Sequence, residues 1–368
     1  MEDPSRAYAL ESSSVSVPYR SLSPEYRTVT RIAPGDGEAT INPRIGSPLL
    51  AIPTYEKRIA TLQSFFAFPF YEQVRDHLEL PRISHYFLNR AGEKLANLDG
   101  LYGITTFDII ANHDPRPWRC LDLGAAPGAW TQYLQYRLPR CFTYVMSLHP
   151  TKGGLPLAED SLDQDRLSIL GDDDLRTDSL KVIDYLRERE GEIDLIVGDA
   201  ASGETDRAET AQQRLLLGEL VIALTSGKIG SHLVIKIFGA VQLPTLHLLW
   251  IIGQCYEEVY LSKPVTSRGV NEELYVVAKH LTSHREKWQP IVTTWYTQTT
   301  DDYESFLENV DLSSIITIVT AYRKMMVAAS VEVVNAMKEF VNHHQQLTAI
   351  PSPRYLPPRL LHGWVIPS

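Results

Sequence analysis

The chain is poor in cysteine, in long apolar runs and in positive charge, and each shortage excludes something. Three cysteines in 368 residues, Cys120, Cys141 and Cys255, stand far apart with no C-x-x-C pair and no histidine cluster beside them. That spacing argues against a disulfide framework and a zinc site, and predicts a reducing compartment and no metal. No run of about eighteen apolar residues occurs. The longest candidate, Leu312–Tyr322, is interrupted by serines and ends on Arg323-Lys324. The opening MEDPSRAY is acidic and polar, unlike a signal peptide, so neither export nor membrane association is expected. Lys and Arg total 35 against 45 Asp and Glu, a net charge of −10. An indiscriminate nucleic-acid binder would carry the opposite balance, although a confined groove needs only a few cations.

What remains is ordinary globular composition, 44% hydrophobic and 22% charged, in a length suited to one large domain with extensions. The chain is organised around Trp118–Tyr136, WRCLDLGAAPGAWTQYLQY. Arg119–Leu123 is short, apolar and bounded by Pro117 and a glycine, the profile of a buried strand. Gly124-Ala125-Ala126-Pro127-Gly128 is then a tight turn. Trp130, Leu134 and Leu138 share one face of a following helix. Strand, turn and helix make the first unit of a doubly wound sheet, which binds its ligand beyond the strand's carboxyl end. A dinucleotide fold asks for G-x-G-x-x-G, so that helix amides hold a pyrophosphate. Here Pro127 has no amide, the glycines sit four apart, and Asp122 repels phosphate. The turn favours S-adenosylmethionine over NAD.

Around this centre the pattern predicts a helix over His85–Gly100 and strands over Phe142–Leu148 and Leu167–Leu170. A helix over Ser179–Glu190 follows, then a strand over Ile193–Gly198 and a long helix over Ala208–Ile229. Strand His232–Phe238, helix Leu243–Cys255, strand Glu257–Leu261 and an antiparallel return over Glu273–Lys279 complete the sheet. Tyr303–Leu307 and Leu312–Leu347 read as helices, and the proline-rich end as extended. Met1 to about Pro53 reads as an irregular arm with a short strand, with a partly disordered tail as the alternative. Phe65, Phe66, Phe68, Phe70 and Tyr71 read as core packing, with a base-stacking face as the alternative.

Three positions are chemically odd. Lys236 lies among apolar residues within a central strand, where an amine must pair with a carboxylate, lose its proton or reach a cleft. Lys94 projects close to the direction of Phe87 on the inward side of its helix. Asp199 closes a buried strand at the sheet edge where such folds place their chemistry. Glu273 begins the antiparallel strand and so reaches the same edge, with Glu272 pointing away.

These residues, and the segments that carry them, resemble the FtsJ-type ribose 2′-O-methyltransferases, most closely their mRNA cap-methylating branch in eukaryotes and viruses. LDLGAAPGAW is similar to that family's cofactor turn, usually DLGAAPGGW. FLNRAGEKLANLD, IVGDAA, HLVIKIF and KPVTSRGVNEELYVVAK match its remaining motifs in order, over about Tyr86 to His280. The resemblance implies an α/β fold with a doubly wound, mostly parallel seven-stranded sheet of the Rossmann-like methyltransferase type. It implies an arm over 1–84, a catalytic domain over 85–281 and a helical extension over 282–368. The family's Lys-Asp-Lys-Glu tetrad falls on Lys94, Asp199, Lys236 and Glu273. The cofactor, S-adenosylmethionine leaving as S-adenosylhomocysteine, is expected at Asp122, Gly124, Ala125, Ala126, Pro127, Gly128, Ala129 and Trp130. His149, Asp172, Asp173 and Asp199 complete that set. The chain departs from the family at Ala129, where a second glycine is usual, and at Leu148-His149, where an acidic residue often ends the second strand.

The expected chemistry is in-line methyl transfer to a ribose 2′-hydroxyl, with Lys236 as general base. Desolvation and the neighbouring Lys94 are expected to lower its proton affinity. Arg90, Arg119, Lys152, Lys263, Ser267 and Arg268 are expected to meet RNA phosphates. Capped RNA is the expected partner, and the flanks are open to other capping or transcription proteins. A ribosomal- or transfer-RNA methyltransferase is the alternative among enzymes; a non-catalytic RNA-binding or structural protein is the alternative of another class. Without a basic localisation run, the cytoplasm is the expected compartment, with the nucleus, or a virion for a viral protein, as alternatives.

Overall fold

A computed structural model describes residues 30–31, 40–45, 86–105, 117–171, 174–189, 192–202, 208–264, 266–267, 271–298, 305–308 and 310–324. Two short strands come from the N-terminal side, β1 (Thr30–Arg31) and β2 (Thr40–Ile45). Then follow α1 (Arg90–Tyr102), β3 (Arg119–Leu123), α2 (Ala129–Arg137), β4 (Phe142–Met146), β5 (Leu167–Ile169), α3 (Ser179–Arg189) and β6 (Ile193–Gly198). The second half holds α4 (Ala208–Ser226), β7 (Gly227–Phe238), α5 (Leu243–Cys255), β8 (Tyr256–Ser262), β9 (Glu273–Leu281), α6 (Arg285–Gln298) and β10 (Ser305–Glu308).

Seven strands form the expected sheet in the order β5-β4-β3-β6-β7-β9-β8, and β1 adds two residues at the β8 edge. The pairs β5–β4, β4–β3, β3–β6 and β6–β7 are parallel, while β9 runs antiparallel to both β7 and β8. The chain winds outward from β3 to β5, then crosses back to β6. The carboxyl ends of β3 and β6 therefore flank the switch point, where an open α/β sheet forms its ligand crevice.

Helices cover both faces, so the central strands are apolar on each side. On one face Cys120, Leu195, Val197, Val234 and Val277 pack with Leu95 and Leu98 of α1 and Trp130 and Leu134 of α2. On the other, Leu121, Ile196, Ile235, Ile237 and Val276 pack with residues of α3, α4, α5 and α6. Helix α4 touches α3, α5, α6 and β7 at once, which is why LLLGELVIAL is apolar around most of its girth.

Several boundaries move. Helix α1 starts at Arg90 rather than His85, because the Asn89 side chain accepts a bond from the Ala91 amide and caps it there. It ends where Gly103, at φ 63°, donates to the Asp99 carbonyl. The long helix stops at Ser226 instead of Ile229, and residues 227–231 are the start of β7. Gly227 already pairs with Ile193, and a Cβ there would meet the Ala223 carbonyl at 2.6 Å, so the glycine permits the turn from helix to strand. The segment read as a helix over Tyr303–Leu307 overlaps β10, antiparallel to β2; five residues are too few for period to separate helix from strand. Helix α6, with Pro290 inside it, has no counterpart among the expected elements. The predicted helix from Leu312 is present over 313–324. The aromatic run Phe65–Tyr71 and the proline-rich end lie outside the described residues.

Candidate active site

The bend after β3 is fixed from two sides. The Gly124 and Ala125 amides donate to the Met146 carbonyl at the end of β4, at 2.8 and 3.0 Å, and Ala126 donates to Ser147 Oγ at 3.3 Å. Gly124 has φ 70°, and a Cβ on it would come within 2.6 Å of the Ala200 Cβ. The bend therefore lies directly against the residue that follows Asp199. Pro127 follows a cis peptide, and Gly128, at φ 112°, stands at the N-cap of α2 with no side-chain cap. The first turn of α2, begun by Ala129, thus opens onto the bend, with the Thr131 amide held by Asp122.

Asp122 sits beneath this bend, buried, with Oδ2 accepting from Thr131 Oγ1 at 2.7 Å. Its other oxygen, Oδ1, has no hydrogen-bond partner among the described residues. Burial pushes its pKa up to about 7, against the Thr131 bond, and Asp199 adds to the rise. Trp130, expected at the cofactor, is itself buried and donates to the Ala91 carbonyl at 2.7 Å, bracing α2 against α1. His149 and Lys152 lie on the loop beyond β4, with His149 Nδ1 2.6 Å from Thr151 Oγ1. Asp172, Asp173 and Arg268 lie outside the described residues.

Beside the bend, four charged side chains from four elements meet. Lys236 is the tenth residue of β7 and Asp199 follows β6, so both reach the carboxyl edge on the face covered by α1 and α2. Lys236 Nζ is 3.0 Å from Asp199 Oδ1 and donates to the Asp199 carbonyl at 2.6 Å. Lys94, one turn into α1, places Nζ 2.7 Å from Glu273 Oε1. Glu273 reaches this edge because β9 is antiparallel and the residue opposes Phe238 at the end of β7. Tyr275 joins the two pairs: it stands opposite Lys236, donates to Asp199 Oδ1 at 2.8 Å and accepts from Lys94 Nζ at 3.3 Å. Nothing in the sequence had singled out Tyr275, although its position two residues after Glu273 puts both side chains on one face of β9.

Glu273 is buried yet ionised. Burial pushes its pKa up, but Lys94, Lys236 and Lys263 together bring it down to about 2. Lys236 departs from the expectation of a lowered value. Burial pushes it down, but Asp199, Glu273, the Asp199 bond and Glu219 outweigh that and hold it above the usual lysine value. The expectation weighed Lys94 but not the carboxylates gathered around the amine. Tyr275, buried against Asp199 and Glu273, is pushed well above the ordinary phenol value.

Of the residues expected at RNA, Arg90 is one helical turn before Lys94, on the same side of α1 and half-buried. Lys263 donates to the Asn271 carbonyl, to Asn271 Oδ1 and to the Glu273 carbonyl, each at 2.9 Å. Ser267 is buried and donates to Glu273 Oε1 at 2.7 Å. Both therefore hold Glu273 from the loop before β9. Arg119 is a correction. It begins β3, so it lies at the opposite end of that strand from the bend, about 13 Å away at 3.3 Å per residue. Its amide donates to Asp194 Oδ2 at 3.0 Å, at the start of β6. Membership of the central motif placed it near the site; strand direction places it at the far edge.

A bend at the switch point beside a Lys-Asp-Lys-Glu quartet is an arrangement that can be compared with known proteins. The family model of FtsJ-like methyltransferases matches residues 87–281, more than half of the chain. The chain belongs to this family. The cap-specific mRNA (nucleoside-2′-O-)-methyltransferase 1 of Dictyostelium discoideum is 25% identical over 241 residues, covering 54% of this chain and 30% of that protein. The ribosomal RNA large subunit methyltransferase E of Methanocaldococcus jannaschii is 29% identical over 173 residues, covering 46% of this chain and 66% of that protein. The mouse cap-specific methyltransferase 1 is 36% identical over a shorter stretch of 84 residues, 23% of this chain and 10% of that protein. The chain thus spans less than two thirds of the length of each of these relatives. As an FtsJ-like protein it departs from the usual cofactor turn only by one methyl group, at Ala129, which is buried in the first turn of α2.

Proposed function

We propose that this FtsJ-like protein transfers a methyl group from S-adenosylmethionine to a ribose 2′-hydroxyl of RNA, at the first transcribed nucleotide of a capped mRNA. The observation that carries the reading is the convergence of Lys94, Asp199, Lys236 and Glu273 at the switch point, next to the Gly124–Gly128 bend. The residues fit the cofactor: the buried Asp122 Oδ1 lacks a partner among the described residues, the Gly128 N-cap makes no side-chain bond, and Gly124 and Gly128 take the positive φ that shapes the bend. When bound, S-adenosylmethionine supplies an electrophilic methyl on a cationic sulfonium.

The chain's part is positioning and proton transfer. Lys236 would accept the proton of the 2′-hydroxyl, and the quartet would hold that oxygen beside the bend, where the bound cofactor would supply the methyl group. Lys236 must first give up its ammonium proton, and positive charge entering the site works in that direction. Asp199 orients the amine through two contacts; Glu273 holds Lys94, and Ser267 and Lys263 hold Glu273. Arg90, one turn before Lys94 on α1, and Lys152, on the loop after β4, are the described cations assigned to RNA phosphates in this reading.

The cap assignment draws on the FLNRA and KPVTSR segments and on the cap-specific relatives. A ribosomal-RNA substrate is the second reading, favoured by the Methanocaldococcus relative. Labelled methyl incorporation into capped and uncapped versions of one short RNA separates them. Preference for the capped RNA, with label on the first ribose, is expected; equal or greater labelling of the uncapped RNA would move the assignment to the second reading. Binding of capping or transcription proteins by the flanks and residence in the cytoplasm belong to the same proposal.

A further inference from the structure

Directly behind the quartet lies a carboxyl that this chemistry does not use. Glu219, in the middle of α4, is fully buried, and neither of its oxygens has a hydrogen-bond partner among the described residues. Leu215, Leu216, Leu217, Leu220 and Val221 around it are buried as well. An unpaired carboxylate in such a place is strongly disfavoured, so a structural role alone would have been served better by another leucine.

Its head group rests on Gly198. A Cβ on that glycine would lie 2.5 Å from Glu219 Oε1 and 3.1 Å from its Cδ. Gly198 is paired with Ile235, so the next residues on the two strands, Asp199 and Lys236, project from the opposite face. The carboxyl therefore reaches the back of the strand ends through a missing side chain. We propose that Glu219 is a positioning residue for Lys236, acting through the gap at Gly198, so that its carboxyl and the Lys236 amine share one proton balance across the sheet. This rests on the reading of Lys236 as the base.

The groups that face Lys236 are Asp199 after β6, Glu273 and Tyr275 on β9, and Glu219 on α4, with Lys94 of α1 reaching it through Glu273 and Tyr275. Those that face Glu219 are Lys236 and Asp199. Burial pushes Glu219 well above the usual carboxylate range and Asp199 adds to this, while the Lys236 ammonium pulls it down. The coupling is reciprocal: ionised Glu219 holds the ammonium, and loss of the ammonium proton raises the affinity of Glu219 for one. A neutral side chain at 219 removes one of the three carboxylates that retain the Lys236 proton.

The test is an NMR titration of the free protein with isotope-labelled lysine side chains, the Lys236 signal being assigned by its disappearance in Lys236→Met. In Glu219→Gln the Lys236 transition is expected to fall by about one pH unit. Should that variant fail to fold, Glu219→Met is equally neutral and close in volume, and removing an unpartnered buried carboxyl should not cost it stability. An unmoved Lys236 transition in either folded variant overturns the proposal. Because no RNA or cofactor enters the experiment, its outcome is independent of whether the substrate reading holds. A second arm tests the contact itself: Gly198→Ala should lower the melting temperature, and Gly198→Ala/Glu219→Ala should recover part of the loss. Absence of recovery would place the carboxyl away from Gly198 and also overturn the proposal.

Discussion

At Lys236 burial and charge pull in opposite directions, and the carboxylates prevail: an amine buried on a sheet face keeps its proton because Asp199, Glu273 and Glu219 face it. Tyr275 ties this pair to Lys94–Glu273 through bonds of 2.8 and 3.3 Å. Tyr275→Phe keeps the ring against Trp130, whose centroid is 5.8 Å away, and removes only the bridge. A hydrogen bond of about 1 kcal/mol is then lost, so kcat should fall about fivefold with KM little changed; steady-state kinetics that show a change in KM alone would contradict the bridging role. Glu273 carries a stability term as well. Its value is depressed from 4.5 to about 2, so the stabilisation is complete above about pH 4.5 and is lost as pH falls through about 2. Glu273→Gln should lack that acid dependence in denaturant unfolding across this window. Three of the four quartet residues were legible as anomalies of placement, because a charge amid apolar neighbours is visible in a one-dimensional pattern. Tyr275 was not, since a tyrosine in a strand is unremarked until its partners are known. Glu219 carries the same kind of signal as Lys236, a lone charge within LLLGELVIAL.

Among the elements, the β3–α2 bend and β9 do most to set the geometry. The bend holds Gly124 against Ala200, and β9 brings its first residue to an edge where its neighbours end. Gly124→Ala combines a positive φ with a Cβ placed 2.6 Å from the Ala200 Cβ, and should cost about 2 kcal/mol of stability and weaken cofactor binding. Thermal melts with and without S-adenosylmethionine measure both; an unchanged melting temperature would show that the bend does not need its left-handed glycine. The doubly wound core was readable because parallel strands buried on both faces are short, nearly unbroken apolar runs. The elements misread are those where local pattern competes with tertiary pairing. The first five residues of β7, Gly-Lys-Ile-Gly-Ser, carry no strand alternation of their own and join the sheet through the pairing of Gly227 with Ile193, and β10 is set by its pairing with β2. Arg119 fails for a related reason: a motif gives proximity along the chain, whereas strand direction decides which edge a residue reaches.

Over the whole molecule, buried ionisable groups set opposing pH dependences. Asp122 and Glu209 are each raised to about 7 and Glu219 well above the usual carboxylate range, so the native state keeps protons that the unfolded chain releases, and stability falls as pH rises from about 4 to about 7. His232 and His247 are lowered by burial to about 3 and about 4, so the unfolded chain takes up protons below about 6.5 and stability rises with pH across much the same window. The three acids outweigh the two histidines, and the unfolding free energy should fall as pH rises from about 5 to about 6.5. Asp122→Asn removes one of the three acids, and the fall should flatten across that range by on the order of 1 kcal/mol; chemical denaturation at three or four pH values checks it, and a variant profile as steep as the wild type's would contradict the assignment.

The central claim is that Lys236 takes the proton while other parts of the site hold the cofactor. Its most direct test compares the wild-type chain with Lys236→Ala, reading labelled methyl transfer to a short capped RNA and S-adenosylmethionine affinity by calorimetry. Transfer is expected to fall by about 10²- to 10⁴-fold while affinity stays within a few-fold. Transfer that survives in Lys236→Ala, or an affinity that collapses with it, would contradict the account.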